Sequence, residues 1–254
     1  MEKAEVISSE EIASSIYSLW LKTEKLASLA EPGQFVSVYC NDASRLLPRP
    51  ISICEIKAHE GMIRLVYRIA GKGTDEFSRL QPGDSLDLVG PLGKGFPLER
   101  CTKGKKAFLI GGGIGVPPMV QLSREIFGEV QVIAGYRDEL FLTEELSECG
   151  SFYVATEDGS AGTRGNVLDC IRENKLEADV IFACGPMPML RAIKAYAAEK
   201  KIECWISLEE RMACGIGACL GCVCKSREID DHSKVHNKRI CTEGPVFLAE
   251  DVEI

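Results

Sequence analysis

Four cysteines crowd one short stretch of the chain as Cys214-x4-Cys219-x2-Cys222, with Cys224 two residues on, and Cys241 follows Cys222 after 18 intervening residues. Thiolates are soft, charged donors that suit iron, and C-x4-C-x2-C with a distant fourth cysteine is the plant-type pattern for a 2Fe–2S cluster. Gly215, Gly217 and Gly221 let the backbone come close, so that amide N–H groups face the sulfurs. A zinc site competes with this assignment, because Cys219-x2-Cys222 with His232-x3-His236 mimics a finger. Its nine-residue gap is shorter than the usual ~12–15, however, and it leaves Cys214 and Cys241 idle. Cys224 competes with Cys241 for the fourth position. Cys222-x-Cys224 is tight for a cluster edge, and in a β-like run Val223 and Cys224 face opposite sides. The assigned metal ligands are Cys214, Cys219, Cys222 and Cys241, with the two histidines as solvated loop residues.

A second chemical signal is the run Gly111-Gly112-Gly113-Ile114-Gly115-Val116-Pro117-Pro118. It follows a short apolar strand and precedes a segment with helical spacing, the context in which backbone N–H groups and a helix N-terminus meet a phosphate. Val116 stands where a dinucleotide fingerprint would carry its third glycine. Thr156-Glu157-Asp158-Gly159-Ser160 and Cys184-Gly185-Pro186 each follow a strand of their own. The three loops are expected to converge at the carboxyl ends of parallel strands, where such sheets bind ligands. In the first part of the chain, Arg49-Pro50-Ile51-Ser52 offers a guanidinium for a pyrophosphate and a hydroxyl for a flavin ring. Val66-Tyr67-Arg68 repeats the pairing of aromatic and guanidinium, and Gly73-Thr74 opens a short helix with Thr74 as its N-cap.

The elements that must position these groups fall into three parts. Residues 1–100 hold short β-rich runs, such as 34–39, 63–68 and 85–89, separated by turn residues, which predicts a small barrel. Residues 101–208 alternate strands (107–110, 130–134, 152–156, 180–183, 204–207) with helices (116–127, 187–200), which predicts a parallel sheet. Residues 209–254 read as a charged, irregular tail, too short and polar to fold by burial alone, so a metal centre is expected to stabilise it.

A chain of 254 residues can bury roughly 70–75% of its unfolded surface and needs no disulfide staples. With 45% hydrophobic and 27% charged residues it has the composition of a folded globular protein rather than a disordered one. Its 30 basic and 38 acidic residues give a net charge of −8, which excludes nucleic acid as a partner. No stretch approaches 18 uninterrupted apolar residues, so no membrane span is predicted. Residues 1–11 are glutamate-rich and lack a signal-peptide core, so a cytoplasmic location is expected. Thiols stay reduced there, and 12 cysteines then argue for metal or redox chemistry rather than bridges.

Together these motifs resemble the ferredoxin-reductase family of flavoproteins. The matches are Arg49-Pro50-x-Ser52, Pro82-Gly83-Asp84-x-Leu86-x-Leu88-x-Gly90-Pro91-x-Gly93, Gly111-x-Gly113-x-Gly115-x-x-Pro118 and Cys184-Gly185-Pro186, in the family's order. The run Glu210-Arg211-Met212-Ala213-Cys214-Gly215-Ile216-Gly217-Ala218-Cys219-Leu220-Gly221-Cys222 is similar to the electron-transfer subunits of type B dihydroorotate dehydrogenases. The resemblance implies a flavin-binding antiparallel β-barrel, a parallel-sheet nucleotide-binding domain and a small C-terminal iron–sulfur domain. It implies FAD held by Arg49, Pro50, Ile51, Ser52, Val66, Tyr67, Arg68, Gly73 and Thr74. NAD would lie on Gly111, Gly113, Gly115, Pro118, Asp158, Gly159, Cys184, Gly185 and Pro186. It also implies an FMN-containing catalytic subunit as partner, in a heterotetramer of two subunits of each kind. A diaphorase subunit of a sulfhydrogenase or of a ferredoxin:NADP+ oxidoreductase complex, and a zinc-stabilised module without redox activity, are the alternatives.

Overall fold

The computed structural model describes residues 1–229 and 234–254. The first part comprises β1 (Glu2–Ala13), β2 (Ile16–Lys22), α1 (Glu24–Leu29), β3 (Phe35–Val38), β4 (Arg49–Lys57), β5 (Met62–Arg68), α2 (Lys72–Phe77) and β6 (Ser85–Leu92). The strands close into a barrel in the order β1-β2-β5-β4-β3-β6, every neighbour antiparallel, with Glu2–Glu5 of β1 returning to β6. The pleat turns alternate side chains inward: Leu19 and Leu21, Ile63 and Leu65, Leu86 and Leu88 are fully buried. Closure removes the sheet edges that an open sheet of this size would expose.

The second part comprises β7 (Lys106–Gly112), α3 (Pro118–Glu125), β8 (Glu129–Tyr136), α4 (Thr143–Ser147), β9 (Ser151–Thr156), β10 (Thr163–Arg164), α5 (Val167–Glu173), β11 (Val180–Cys184), α6 (Met187–Lys200) and β12 (Glu203–Ser207). The tail adds β13 (Val223–Ser226), β14 (Asn237–Arg239), β15 (Val246–Leu248) and β16 (Val252–Glu253). The sheet runs β10-β9-β8-β7-β11-β12-β15, parallel throughout except for the antiparallel edge strand β15. Successive strands move outward from β7 to one side and then, from β11, to the other. The order therefore reverses between β7 and β11, the switch point at which such sheets bind ligands.

Two sequence expectations change. The helix after the glycine run begins at Pro118, because residues 113–115 form a separate tight turn and Pro118, with no N–H to leave unpaired, suits a first turn. The tail is not irregular. β15 extends the large sheet, β13 holds β14 and β16, and Ile240, Phe247 and Val252 are buried.

Barrel and sheet are joined by apolar and charged contacts. Phe96, just beyond the barrel, meets Phe182 of β11 edge to face at 5.7 Å. Helix α3 lies against β4. Arg124 of α3 reaches the buried Glu55 of β4 at 2.6 Å, and Arg64 of β5 reaches Glu145 of α4 at 2.7 Å and Glu55 at 3.5 Å. Phe182 is fully buried, so Phe182→Ala is expected to cost about 3–5 kcal/mol in urea unfolding. A loss under about 1 kcal/mol would show the joint to be insensitive to this ring.

Candidate functional site

A cleft of about 320 Å³ opens where β4 and β5 face the switch point, and Arg49, Pro50, Ile51, Ser52, Val66, Tyr67, Arg68 and Thr74 all line it. These residues come together because the start of β4 and the end of β5 lie side by side at one end of the barrel. A larger hollow, about 770 Å³, lies between α6, β12 and the tail and shares no residue with this cleft. Gly73 lies beneath Arg49 rather than on the cleft wall. A Cβ there would come within 2.6 Å of the guanidinium carbon, so only glycine lets this Arg lie flat across α2. Thr74 is not the N-cap that the sequence suggested. Gly71 caps α2, and the Thr74 hydroxyl reaches back to accept from Ala70 N–H (2.9 Å) and Gly71 N–H (3.3 Å).

Tyr67 tests whether the cleft fits a polar aromatic ligand. Its ring stacks on Tyr17 and meets Phe77 edge-on, each at 6.1 Å, and its buried hydroxyl has no hydrogen-bond partner. Burial pushes its pKa up and keeps it a donor. A buried donor without an acceptor is rare in a finished core and marks a position that a bound polar group completes. With Arg49 and Arg68 beside it, the cleft fits the ring and phosphates of a flavin nucleotide.

At the switch point, Gly111 pairs with Cys184 across β7 and β11. A Cβ on Gly115 would come within 2.5 Å of the Cys184 carbonyl carbon and 2.6 Å of Gly185 Cα. The glycine turn and the Cys184-Gly185-Pro186 loop therefore touch backbone to backbone, and Pro118 begins α3 beside them. The Asp158-Gly159 loop lies further along the same carboxyl edge of the sheet. It follows β9, two strands from β7, and the Asp158 carboxylate accepts from Ser160 N–H (2.9 Å) and Ser160 Oγ (2.7 Å). Those bonds hold Asp158 below the usual carboxylate range.

Cys184 is buried behind the cleft and is not one of its lining residues. Burial first, then the charge of Glu209, push its thiol up to about 12, against a contact with Ser207 that lowers it. An un-ionised, enclosed thiol positions its loop rather than reacting.

Cys219 is in contact with Cys214 and Cys222 with Cys241, and the Cys214 charge also acts on Cys241. Burial resists ionisation of Cys214, but the N–H groups of Ile216, Cys219 and Ala218 and the Cys219 thiol bring it down to about 7. Cys241 is pushed up to about 11 by burial and by its contact with Cys222, with the Gly217 N–H acting the other way. Among the described residues no three Cys, His, Asp or Glu side chains converge on one metal-sized point. Cys224 pairs with Lys238 across β13 and β14, and burial, Lys238 and Glu243 set its thiol at about 11. His236 lies 3.0 Å from the Arg227 carbonyl through Nδ1. His232, the other member of the zinc alternative, lies outside the described residues.

Sequence reasoning missed several walls of the cleft: Phe35, Ile114, Ser207, Leu208, Glu209, Met212 and Pro245. Ile114 was legible as the one large side chain inside the glycine run, and Met212 as the residue two before Cys214. Glu209 is accessible through the open cleft, yet the protein packed around it raises its carboxyl pKa by desolvation.

Residues 3–96 match the family described as the oxidoreductase FAD-binding domain, which sets the barrel and its cleft among the flavin-dependent oxidoreductases. Residues 209–253 match the iron–sulfur cluster binding domain of dihydroorotate dehydrogenase B. Curated relatives named dihydroorotate dehydrogenase B (NAD(+)), electron transfer subunit, match the whole length. The one from Bacillus caldolyticus is 42% identical over 99% of this chain and 98% of its own. The one from Listeria monocytogenes is 44% identical over 98% and 97%. The chain belongs to the family of dihydroorotate dehydrogenase B electron transfer subunits. A solved structure described as an NADH-dependent reduced ferredoxin-NADP oxidoreductase superposes with a TM-score of 0.88 at 26% identity, covering 100% of this chain and 90% of that one.

Gly73→Ala should displace the Arg49 guanidinium and weaken FAD binding about tenfold, roughly 1.4 kcal/mol. Fluorescence titration of the apoprotein with FAD measures this, and an unchanged affinity would show that Arg49 does not grip the nucleotide.

Proposed function

We propose that this chain is the electron-transfer arm of a two-part dihydroorotate dehydrogenase. It passes electrons from a partner that oxidises (S)-dihydroorotate to orotate, in pyrimidine synthesis, to NAD+. One observation carries the reading: a single cleft is walled by all three parts of the chain. Arg49 and Ser52 come from the barrel, Ile114 from the glycine turn, and Met212 stands two residues before Cys214. FAD held there would supply both hydride exchange with nicotinamide and single-electron exchange with an iron–sulfur cluster.

The residues divide the work. Arg49 and Arg68 hold the flavin phosphates, Ser52 and Tyr67 hold polar atoms of the nucleotide, and Gly73 and Thr74 shape the support beneath them. Gly111, Gly113 and Gly115, with Pro118 opening α3, cradle the NAD phosphates. Cys184-Gly185-Pro186 positions the nicotinamide, and Asp158 and Gly159 flank the far side. Cys214, Cys219, Cys222 and Cys241 would supply the four thiolates of a 2Fe–2S cluster. The plant-type spacing and the match of residues 209–253 to an iron–sulfur cluster binding domain favour this cluster over zinc. For these roles the chain divides near residues 100 and 208.

Cys219 is exposed while Cys222 and Cys241 are buried, and the exposed Ile216 and Leu220 flank it. This open edge supports docking of an FMN-containing catalytic subunit, in an assembly of two subunits of each kind. Among the described residues no helix is long and apolar enough to cross a membrane. A cytoplasmic location agrees with twelve free thiols.

The isolated chain is expected to pass electrons from NADH to a dye without oxidising dihydroorotate. Adding the FMN subunit should confer dihydroorotate-dependent NAD+ reduction. Cys219→Ser should abolish the coupled reaction while sparing most NADH-to-dye activity, provided FAD stays bound. Turnover of dihydroorotate by the chain alone would refute the proposal. In a serine scan, iron analysis should show loss at Cys214, Cys219, Cys222 and Cys241 and retention at Cys224. The reverse pattern at 224 and 241 would move the fourth ligand. For the nucleotide, Arg137 beside Asp138 and Glu139 argues against a 2′-phosphate. kcat/KM should favour NADH, and a preference for NADPH overturns that assignment.

A further inference from the structure

We infer that Glu55, through Arg124 and Ile56–Gln121, fixes the separation between the flavin and nicotinamide sites, and so acts as a positioning residue for hydride transfer. The inference rests on the function proposed above. Strand β4 carries Arg49 and Ser52 at the flavin cleft and, three residues beyond Ser52, Glu55. That is about 10 Å of strand. Helix α3 starts at Pro118, beside the glycine turn, and reaches Arg124 about 9 Å along its axis. The two elements thus act as rulers with their zero marks at the two sites, and they are pinned together at their other ends. Arg124 Nη1 meets Glu55 Oε1 at 2.6 Å, and Ile56 N–H donates to Gln121 Oε1 at 2.7 Å.

The chain departs from regular pairing to build this pin. Register slips between Ile53 and Glu55, so that Glu55 stands opposite Arg64 rather than one position off. A bulge of this kind re-aims one side chain. Glu55 is consequently buried, with one carboxylate oxygen on Arg124 and the other 3.5 Å from Arg64. Arg64 continues to Glu145 of α4 at 2.7 Å, and Arg124 to Glu148 at 3.8 Å. A second strut runs from Ser14 N–H to the Glu139 carboxylate at 2.9 Å.

A hydride, one proton with two electrons, passes from C4 of the dihydronicotinamide to the flavin ring; NADH becomes NAD+ and the flavin gains the pair. This step needs near-contact, and a misplacement of about 1 Å can cost 10²-fold. Electron passage between flavin and cluster has no such contact requirement, so the pin should matter to one half-reaction only.

The experiment compares Glu55→Gln and Gln121→Leu with the parent holoprotein in anaerobic stopped flow. Flavin reduction by NADH is expected to slow about ten- to hundredfold in Glu55→Gln and severalfold in Gln121→Leu. The NAD+ dissociation constant, FAD and iron contents should stay within about threefold, and electron exit from dithionite-reduced protein to dye should be unchanged. The long-wavelength absorption band that NAD+ induces on the reduced flavoprotein should weaken, reporting lost stacking independently of turnover. A reduction rate within twofold of the parent's, with the band intact, overturns the inference. If Glu55→Gln does not fold, Gln121→Leu strands no charge and decides alone. A parent that binds FAD but is not reduced by NADH would instead sink the proposed function.

Discussion

The site depends on the absence of a side chain at Gly115. The turn after β7 and the loop after β11 meet there with backbone atoms in contact, and any Cβ would force them apart. Because they meet, the switch point of the sheet is narrow, and Ile114 is turned outward to become a wall of the barrel's cleft. The apolar joint of Phe96 and Phe182 and the charged joint at Glu55 then hold the barrel against that point. Barrel and sheet are combined so that their ligand-binding ends share one space.

The charged joint is an unusual choice for a buried position. Burying the Glu55 carboxylate is costly even with Arg64 half-buried beside it and Arg124 reaching in from the surface, and well-packed apolar groups would hold two surfaces together at least as well. What ion pairs add is direction. A guanidinium fork meets a carboxylate in few orientations, whereas apolar faces slide. A slide of β4 along α3 would change the relation between the two ligand sites while leaving the core intact.

Much of this was legible in the residues. Glycines after an apolar run, the Cys214 to Cys222 spacing and the Arg49-Pro50-x-Ser52 motif carry their chemistry locally, and the structure brings Arg49, Ser52, Tyr67 and Thr74 to one cleft. Helix 187–200 was readable to its ends because its apolar spacing is unbroken. What was not legible is what depends on distant pairing. Nothing near Val246 announces an edge strand on β12, and the β4 bulge exists only relative to β5. The spacing of Asp158 from the glycine turn was hidden for the same reason: β8 lies between them, and strand order is a property of the sheet, not of the loop. Thr74 had the chemistry of a cap, but from the third position of its helix, where it reaches back instead of forward.

The return of β15 to β12 anchors the cysteine segment at both ends. Residues 209–245 leave the sheet at β12 and come back to the edge of the same strand, so both ends of the excursion are tied by ladder bonds. Closing so long a loop costs little more than closing a short one, since the entropy grows only with the logarithm of length. Phe247, Val252 and Ile240 supply buried apolar surface to hold it closed. The assigned cysteines thus sit on an excursion whose two ends share one strand, so a shift of β15 along β12 would move Cys241 relative to Cys214.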